Sequence, residues 1–205
     1  MAATKARKRR SSYHHGDLSN ALVRAAIDLI TRENSEQITL REVSRRVGVN
    51  HRAVYRHFSD LAALLAAVAE QGYRELIDAL KAALAALPPG KAARRMEALA
   101  TTYVAFAFDH PAHYRIMFGR RLNEDGRFPA LEATAAEAYE LLQAEFDAAV
   151  ATGEFKDRPR RELVFAFWSL THGFASLALV RRIKLKRTFV ESYVRQIVSP
   201  FVAGL

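Results

Sequence analysis

Cysteine is absent from the 205-residue chain, which excludes disulfides, thiolate nucleophiles and zinc–sulfur sites at one stroke. Glycine (9) and proline (6) are scarce; an Ala-, Leu-, Arg- and Glu-rich remainder favours helices joined by few long loops. No segment alternates with the period of a strand, and no internal repeat is present. A secretory leader is not visible either: the basic start KARKRR runs into SSYHHGDLSN, not into an apolar stretch. A cytoplasmic location fits these absences. One uncharged run, the eighteen residues from Leu163 to Val180, comes near the lower limit for a membrane-spanning helix, about 20 residues. Ser169, Thr171, His172, Gly173 and Ser176 interrupt it and arginines flank it, so the favoured reading is a helix buried on nearly every side, with no membrane as partner.

What the chain does have is an ordinary soluble balance, 50% apolar and 26% charged, with a net charge of +9. That charge is lopsided. Residues 1–57 hold 12 Lys/Arg against 5 Asp/Glu, while the remaining 148 are almost neutral, 19 against 17. The partner of the N-terminal region is therefore expected to be polyanionic, nucleic acid first and an anionic membrane surface second.

Residues 1–16 read as a basic, disordered arm. Asp17 has the character of an N-cap, and Leu18, Leu22, Ala25, Ala26, Leu29 and Ile30 recur at helical spacing to about Arg32. Thr39, with Glu42 three residues on, predicts a capping box for a second helix that turns Leu40, Val43 and Val47 inward. Gly48 supplies its left-handed stop. Asn50 caps a third helix over roughly 51–57, and Ser59 or Asp60 a long fourth one over about 61–87, ended by Pro88-Pro89-Gly90. Further helices are expected over about 91–109, over AHYRIMFG, over 129–151, and over 159–182 and 188–202. The chain is all-α, with about nine helices.

The stretch GVNHRAVYRHF (48–58) carries the sharpest signal. At 100° per residue, His51, Arg52, Tyr55 and Arg56 share one arc of about 140° while Ala53, Val54 and Phe58 take the other side. A helix, a glycine turn and a helix with a seated apolar side and an outward Arg/His/Tyr side is helix-turn-helix logic. The major groove admits one such helix and distinguishes all four base pairs, with arginine forking onto guanine. ITLREVSRRVGVNHRAVYRHFSDLAALLAAV, extended back through ALVRAAIDLI, resembles the DNA-binding signature of the tetracycline-repressor (TetR) family. The resemblance implies a three-helix DNA-binding head over 17–60 and a ligand-binding and dimerisation body over 61–205. By position it places Thr39, Arg41, Asn50, His51, Arg52, Tyr55 and His57 at the operator, and Arg56 joins them from the arc. One departure stands out: where many members carry a phosphate-gripping lysine, this chain has Leu61, and the arm's KARKRR and YHH are expected to take over that contact.

The body resembles, more loosely, the group of that family with a Trp-x-x-x-His-Gly pattern, here WSLTHGFASL after FAFDHPAHYRIMFG. Tyr103, Phe106, Tyr114, Met117, Phe118, Tyr139, Phe165, Trp168 and His172 are the candidate lining of an effector pocket. Taken singly, each apolar member is more often core, and His172 more often a hydrogen-bonded packing residue. Phe189, Val190, Tyr193, Val194 and Ile197 form one stripe, so the last two helices are the expected homodimer contact. Catalysis is not expected: there is no GxSxG, phosphate-cradling glycine loop or flagged carboxylate pair. No cofactor is expected. His14–His15 and His110/His113 each lack a third ligand at diagnostic spacing, so no metal site is read from the sequence. The reading is a regulator, by default a repressor released from a near-palindromic duplex operator by a small apolar or aromatic effector. The rival is a sequence-blind architectural DNA-binding protein.

Overall fold

The computed structural model describes residues 15–120, 122–156 and 159–205; the side chains of 15–17 are not described. Among the described residues there are nine α-helices and no strand: α1 (His15–Glu33), α2 (Leu40–Val47), α3 (His51–Val54), α4 (Leu61–Ala85), α5 (Ala92–Asp109), α6 (Pro111–Phe118), α7 (Pro129–Ala151), α8 (Arg160–Leu179) and α9 (Val190–Ala203). A 3-10 turn at Arg187–Phe189 leads into α9. The first helix already runs at His15, so Asp17 lies inside its first turn and is not its N-cap, and His15 and Gly16 are helical and not part of an arm. The rest of the arm, including KARKRR and His14, lies outside the described residues.

Local chemistry sets the head. The Glu42 N–H donates to Thr39 Oγ1 at 3.2 Å and the Thr39 N–H to Glu42 Oε2 at 2.7 Å, the reciprocal bonds of a capping box. Gly48 ends α2 at φ 77°, a left-handed conformation that a side chain would resist. Asn50 Oδ1 accepts from the Arg52 N–H at 2.9 Å, and Asp60 Oδ1 from the Ala63 N–H at 2.9 Å. The third helix is shorter than its periodicity predicts: after Val54 the Phe58 and His57 N–H groups both close on the Val54 carbonyl, tightening the chain into a turn.

Two hydrophobic cores result, and their border is not at residue 60. The head core joins Leu22, Ile30, Val43, Val54 and Phe58 to the first half of α4 (Leu64 to Ala69), and it also takes Ala112 and Ile116 from α6 and Leu131 from α7. The second half of α4, from Leu76 to Leu84, belongs to the body core. Gly72 stands between the halves, where α6 crosses; a Cβ there would lie 2.9 Å from the Cβ of His113 and 2.6 Å from the sulfur of Met117.

In the body, α5 is the centre and touches α4, α6, α7, α8 and α9. Val190, Val194, Val198 and Val202 recur every four residues along α9 and are all buried; each stabilises by about 1.5–3 kcal/mol relative to exposure. The predicted stripe on this helix divides. Val190 and Val194 turn inward, Ile197 is half-buried, and Phe189 and Tyr193 face solvent at 52% and 47% exposure. The expectation for α8 also needs correction: Val164, Phe167, Thr171, Phe174, Ala175 and Ala178 are buried, but Phe165 and Leu177 are exposed. This helix is long and apolar enough to cross a membrane by length and composition alone, yet one side of it is committed to the body core.

Candidate nucleic-acid interface and effector cavity

Val54, fully buried, anchors the third helix to the head, so the arc opposite it is free to display polar groups. Arg52, Tyr55 and Arg56 are exposed, as are Thr39, Arg41 and Asn50; His57 is half-buried. His51 is half turned in. Its ring meets Tyr55 edge-to-face at 4.9 Å, and its buried Nδ1 has no hydrogen-bond partner. Thr39 and Asn50 spend their side-chain acceptors on capping, which fixes both helix starts that frame the display. Leu61 rests half-buried against the head core and offers no cation.

In the body, α4, α5, α7 and α8, with Phe118 of α6, line a cavity of about 340 Å³ that is partly open to solvent. Of the nine residues expected to line it, Tyr103, Phe118, Tyr139, Phe165 and Trp168 do. Phe106, Tyr114, Met117 and His172 do not. Phe106 stacks on His110 at 4.6 Å, and Met117 packs at the seam beside Gly72. Tyr114 and His172 form a polar layer behind the wall: the hydroxyls of Tyr103 and Tyr114 lie 2.8 and 2.9 Å from His172 Nδ1, and Ser176 Oγ lies 3.3 Å from Nε2. Burial lowers the His172 pKa and raises that of Tyr103 and of Tyr114, keeping the imidazole and both phenols neutral. A tautomer with its proton on Nε2 lets Nδ1 accept from tyrosine and Nε2 donate to Ser176. His172 therefore holds Tyr103, and Tyr103 faces the cavity.

The head's display and the body's cavity both have counterparts among known proteins. The family model "Bacterial regulatory proteins, tetR family" matches residues 22–68, and "Tetracyclin repressor-like, C-terminal domain" matches residues 96–199, half of the chain by itself. The chain belongs to the TetR family. It is a DNA-binding transcriptional regulator and not an enzyme. Its structure is similar to a protein of unknown function from Rhodococcus sp. RHA1 (27% identity, TM-score 0.81, covering 96% of this chain and 99% of that one). It also shares its fold with a tetR-family regulatory protein from Rhodococcus RHA1 (20%, 0.71, 88% and 94%) and with the fatty acid degradation regulator FadR from Bacillus halodurans (12%, 0.73, 93% and 96%). No curated protein matches it.

For a TetR-family chain, the cavity residues missed by the sequence reading are instructive. Tyr73, Leu76 and Leu80 of α4, Leu99 of α5, and Glu132 and Leu142 of α7 also line the space. Tyr73 is the one that reaches both ways. It faces the cavity, packs against the head core, meets Phe118 edge-to-face at 5.8 Å, and directs its hydroxyl at the Met117 carbonyl, 3.5 Å away. Burial, with Glu132 nearby, pushes its pKa up to about 12, so it stays a neutral donor. The leucines had only the ordinary helical spacing of core residues, and no periodicity distinguishes a wall from a filling. His110 and His113, left without a third ligand in the sequence, meet Glu75 across the α4–α6 seam.

Proposed function

We propose that this TetR-family regulator is a homodimeric repressor that holds a near-palindromic operator until a small apolar or aromatic molecule enters the body cavity. The observation that carries the reading is the continuity of α4: its first half is built into the head core and its second half into the cavity wall, with Tyr73 between them. A molecule lying against Tyr73 and Leu76 shifts α4, and the head moves with it. Coupling of this kind is a difference in ligand affinity between two arrangements of one rigid element. The wall chemistry favours a largely apolar guest, with aromatic rings for stacking and, among the described residues, Glu132 as its one charged lining residue. Arg52, Tyr55 and Arg56 read base edges, and Thr39, Arg41, Asn50, His51 and His57 frame them or hold phosphates. The arm supplies the cation that Leu61 lacks. Exposed Phe165, Leu177 and Val180 of the α8 region, with Phe189 and Tyr193 beside α9, support a two-fold contact that sets two heads on successive major grooves. The Trp168-x-x-x-His172-Gly173 pattern supports membership of the corresponding group, since Trp168 lines the cavity and His172 braces Tyr103 behind it.

Selection of bound duplexes from random DNA tests this reading. A near-palindromic site should emerge, and Arg52→Ala should weaken binding to it by about 1–3 kcal/mol while leaving unrelated DNA little affected. Equal loss on every sequence would favour the architectural alternative. Apolar compounds that release the selected duplex should lose that power when Tyr103 or Trp168 is replaced by alanine.

A further inference from the structure

The seam between the two cores holds three side chains that neither DNA reading nor effector binding uses. Glu75 projects from α4, His110 occupies the corner between α5 and α6, and His113 sits in the first turn of α6. One candidate ligand atom from each lies within 4.8 Å of the other two. His110 Nδ1 stands 3.3 Å from Glu75 Oε2. That is the edge of a tetrahedron around an ion with bonds of about 2.0–2.1 Å. His113 is 5% exposed, and its Nε2 is buried with no hydrogen-bond partner. A buried polar atom without a partner is costly and calls for an explanation.

The surroundings are those of a held site and not of a chance surface cluster. Gln71 Nε2 donates to Glu75 Oε1 at 2.7 Å, which orients the carboxylate and leaves Oε2 turned toward His110. Outer partners of this kind position metal ligands in characterised sites. Phe106 stacks on the His110 ring at 17° and fixes its plane. Gly72 lets α6 approach α4 closely enough for His113 to reach the group. All three ligands stand on or beside helices whose positions are set by packing in both cores.

We propose that Glu75, His110 and His113 bind a divalent transition-metal ion of the zinc class, with a fourth position left to solvent on the half-exposed side of Glu75 and His110. Two imidazoles and one carboxylate, in a chain without any thiolate, suit Zn2+, Co2+ or Ni2+ and not a soft monovalent ion such as Cu+. A bound ion clamps α4 to the α5–α6 corner at the point where one core gives way to the other. Any effect of that clamp on DNA release rests on the regulator reading; the site itself does not, and its test involves no DNA.

Full-length protein freed of metal by a chelator is titrated with Zn2+ in a calorimeter and with Co2+ in the visible spectrum. One equivalent should bind per chain with micromolar affinity or better, and Co2+ should develop the d–d bands of a four- or five-coordinate nitrogen–oxygen site. Glu75→Gln and His110→Ala, both at half-exposed positions, should keep the wild-type helical circular dichroism and weaken Zn2+ binding at least about 10–100-fold, the range set by loss of even an outer partner. His113→Ala should do the same; because that residue is packed against α4, the other two variants decide the matter if it fails to fold. A His14→Ala/His15→Ala double variant should bind as the wild type does. Absence of Zn2+ binding at micromolar concentrations, binding that survives both Glu75→Gln and His110→Ala, or binding lost with the N-terminal histidine pair would each overturn the site.

Discussion

In the head, Leu22, Ala26, Ile30, Val43, Val54 and Leu64 are all sealed from solvent, and the display of Arg52, Tyr55 and Arg56 rests on them. In the body, leucines of the same helical spacing, Leu76, Leu80, Leu99 and Leu142, border about 340 Å³ of open space. The same chemistry thus makes a tight base in one region and a yielding wall in the other. A surface that must present side chains in fixed register needs neighbours that cannot relax. A wall that is to admit the proposed guest needs room, and room costs the dispersion contacts that a filling would have made. The two regions are not separate bodies, because α4 lies in both cores and α6 and α7 lend Ala112, Ile116 and Leu131 to the head.

The contrast is broken most directly by paired truncations. Leu64→Ala removes a side chain with packing on every side and should cost about 2–5 kcal/mol in urea unfolding. Leu142→Ala, half-buried on the cavity wall, should cost less than about half of that, since its open side has no contacts to lose. Equal losses would mean that the body is packed as tightly as the head. Unfolding of either variant should remain a single transition by fluorescence and circular dichroism, because the border of the cores runs through the middle of one helix.

The border itself is sharpened by Gly72→Ala. In an exposed helix this change stabilises by about 1 kcal/mol through propensity alone. Here the new methyl would press on the Cβ of His113 at 2.9 Å, a group fixed to the backbone of α6, as well as on the more yielding Met117 sulfur. Overpacking typically costs about 1–3 kcal/mol, so a net loss of stability is expected. A gain would show that α4 and α6 are free to separate.

How much of this was legible in sequence follows the range of the interactions involved. Thr39 with Glu42, Gly48 and Asn50 act on backbone groups within three residues, so their roles as caps and stop are read directly from spacing. For the fourth helix spacing left Ser59 or Asp60 open, and Asp60 takes the cap. The arc of Arg52, Tyr55 and Arg56 is equally local, needing only Val54 to be the seat. His51 lies beside Tyr55 as the i,i+4 spacing requires, but its Nδ1 is buried, which angular position alone does not announce. Long-range facts were hidden. Phe189 and Val190 are neighbours on one apolar stripe, but only the position of α5 decides which of them is buried. Tyr114 and His172 looked like lining and are the brace behind it, because Ser176 and Tyr103 draw their polar atoms away from the cavity. Glu75 joins one histidine from the α5–α6 corner and one from α6, and nothing in the spacing of His110 and His113 announces a third group on α4.

The smallest effect concerns the surface link between the regions. Asp60 caps α4 through the Ala63 N–H and, on its other oxygen, accepts from Arg127 at 2.7 Å. The Arg127 hydrogen bond first, and the backbone donor next, hold its carboxyl below the ordinary aspartate range. A carboxyl whose folded pKa is depressed lends stability that is fully present above its unfolded pKa, about 3.9, and that is lost as pH falls through the folded value. Asp60→Ala removes the cap and the pair and should cost about 1 kcal/mol at neutral pH. Asp60→Asn keeps a good capping residue and should cost only a few tenths, about what an exposed ion pair is worth. Urea midpoints measured from neutral pH to below pH 4 should show the wild type converging on Asp60→Asn at the acid end. If the two run parallel throughout, the link to Arg127 adds nothing to the joint, and the head is tied to the body by its other contacts, the shared helix and the residues lent by α6 and α7.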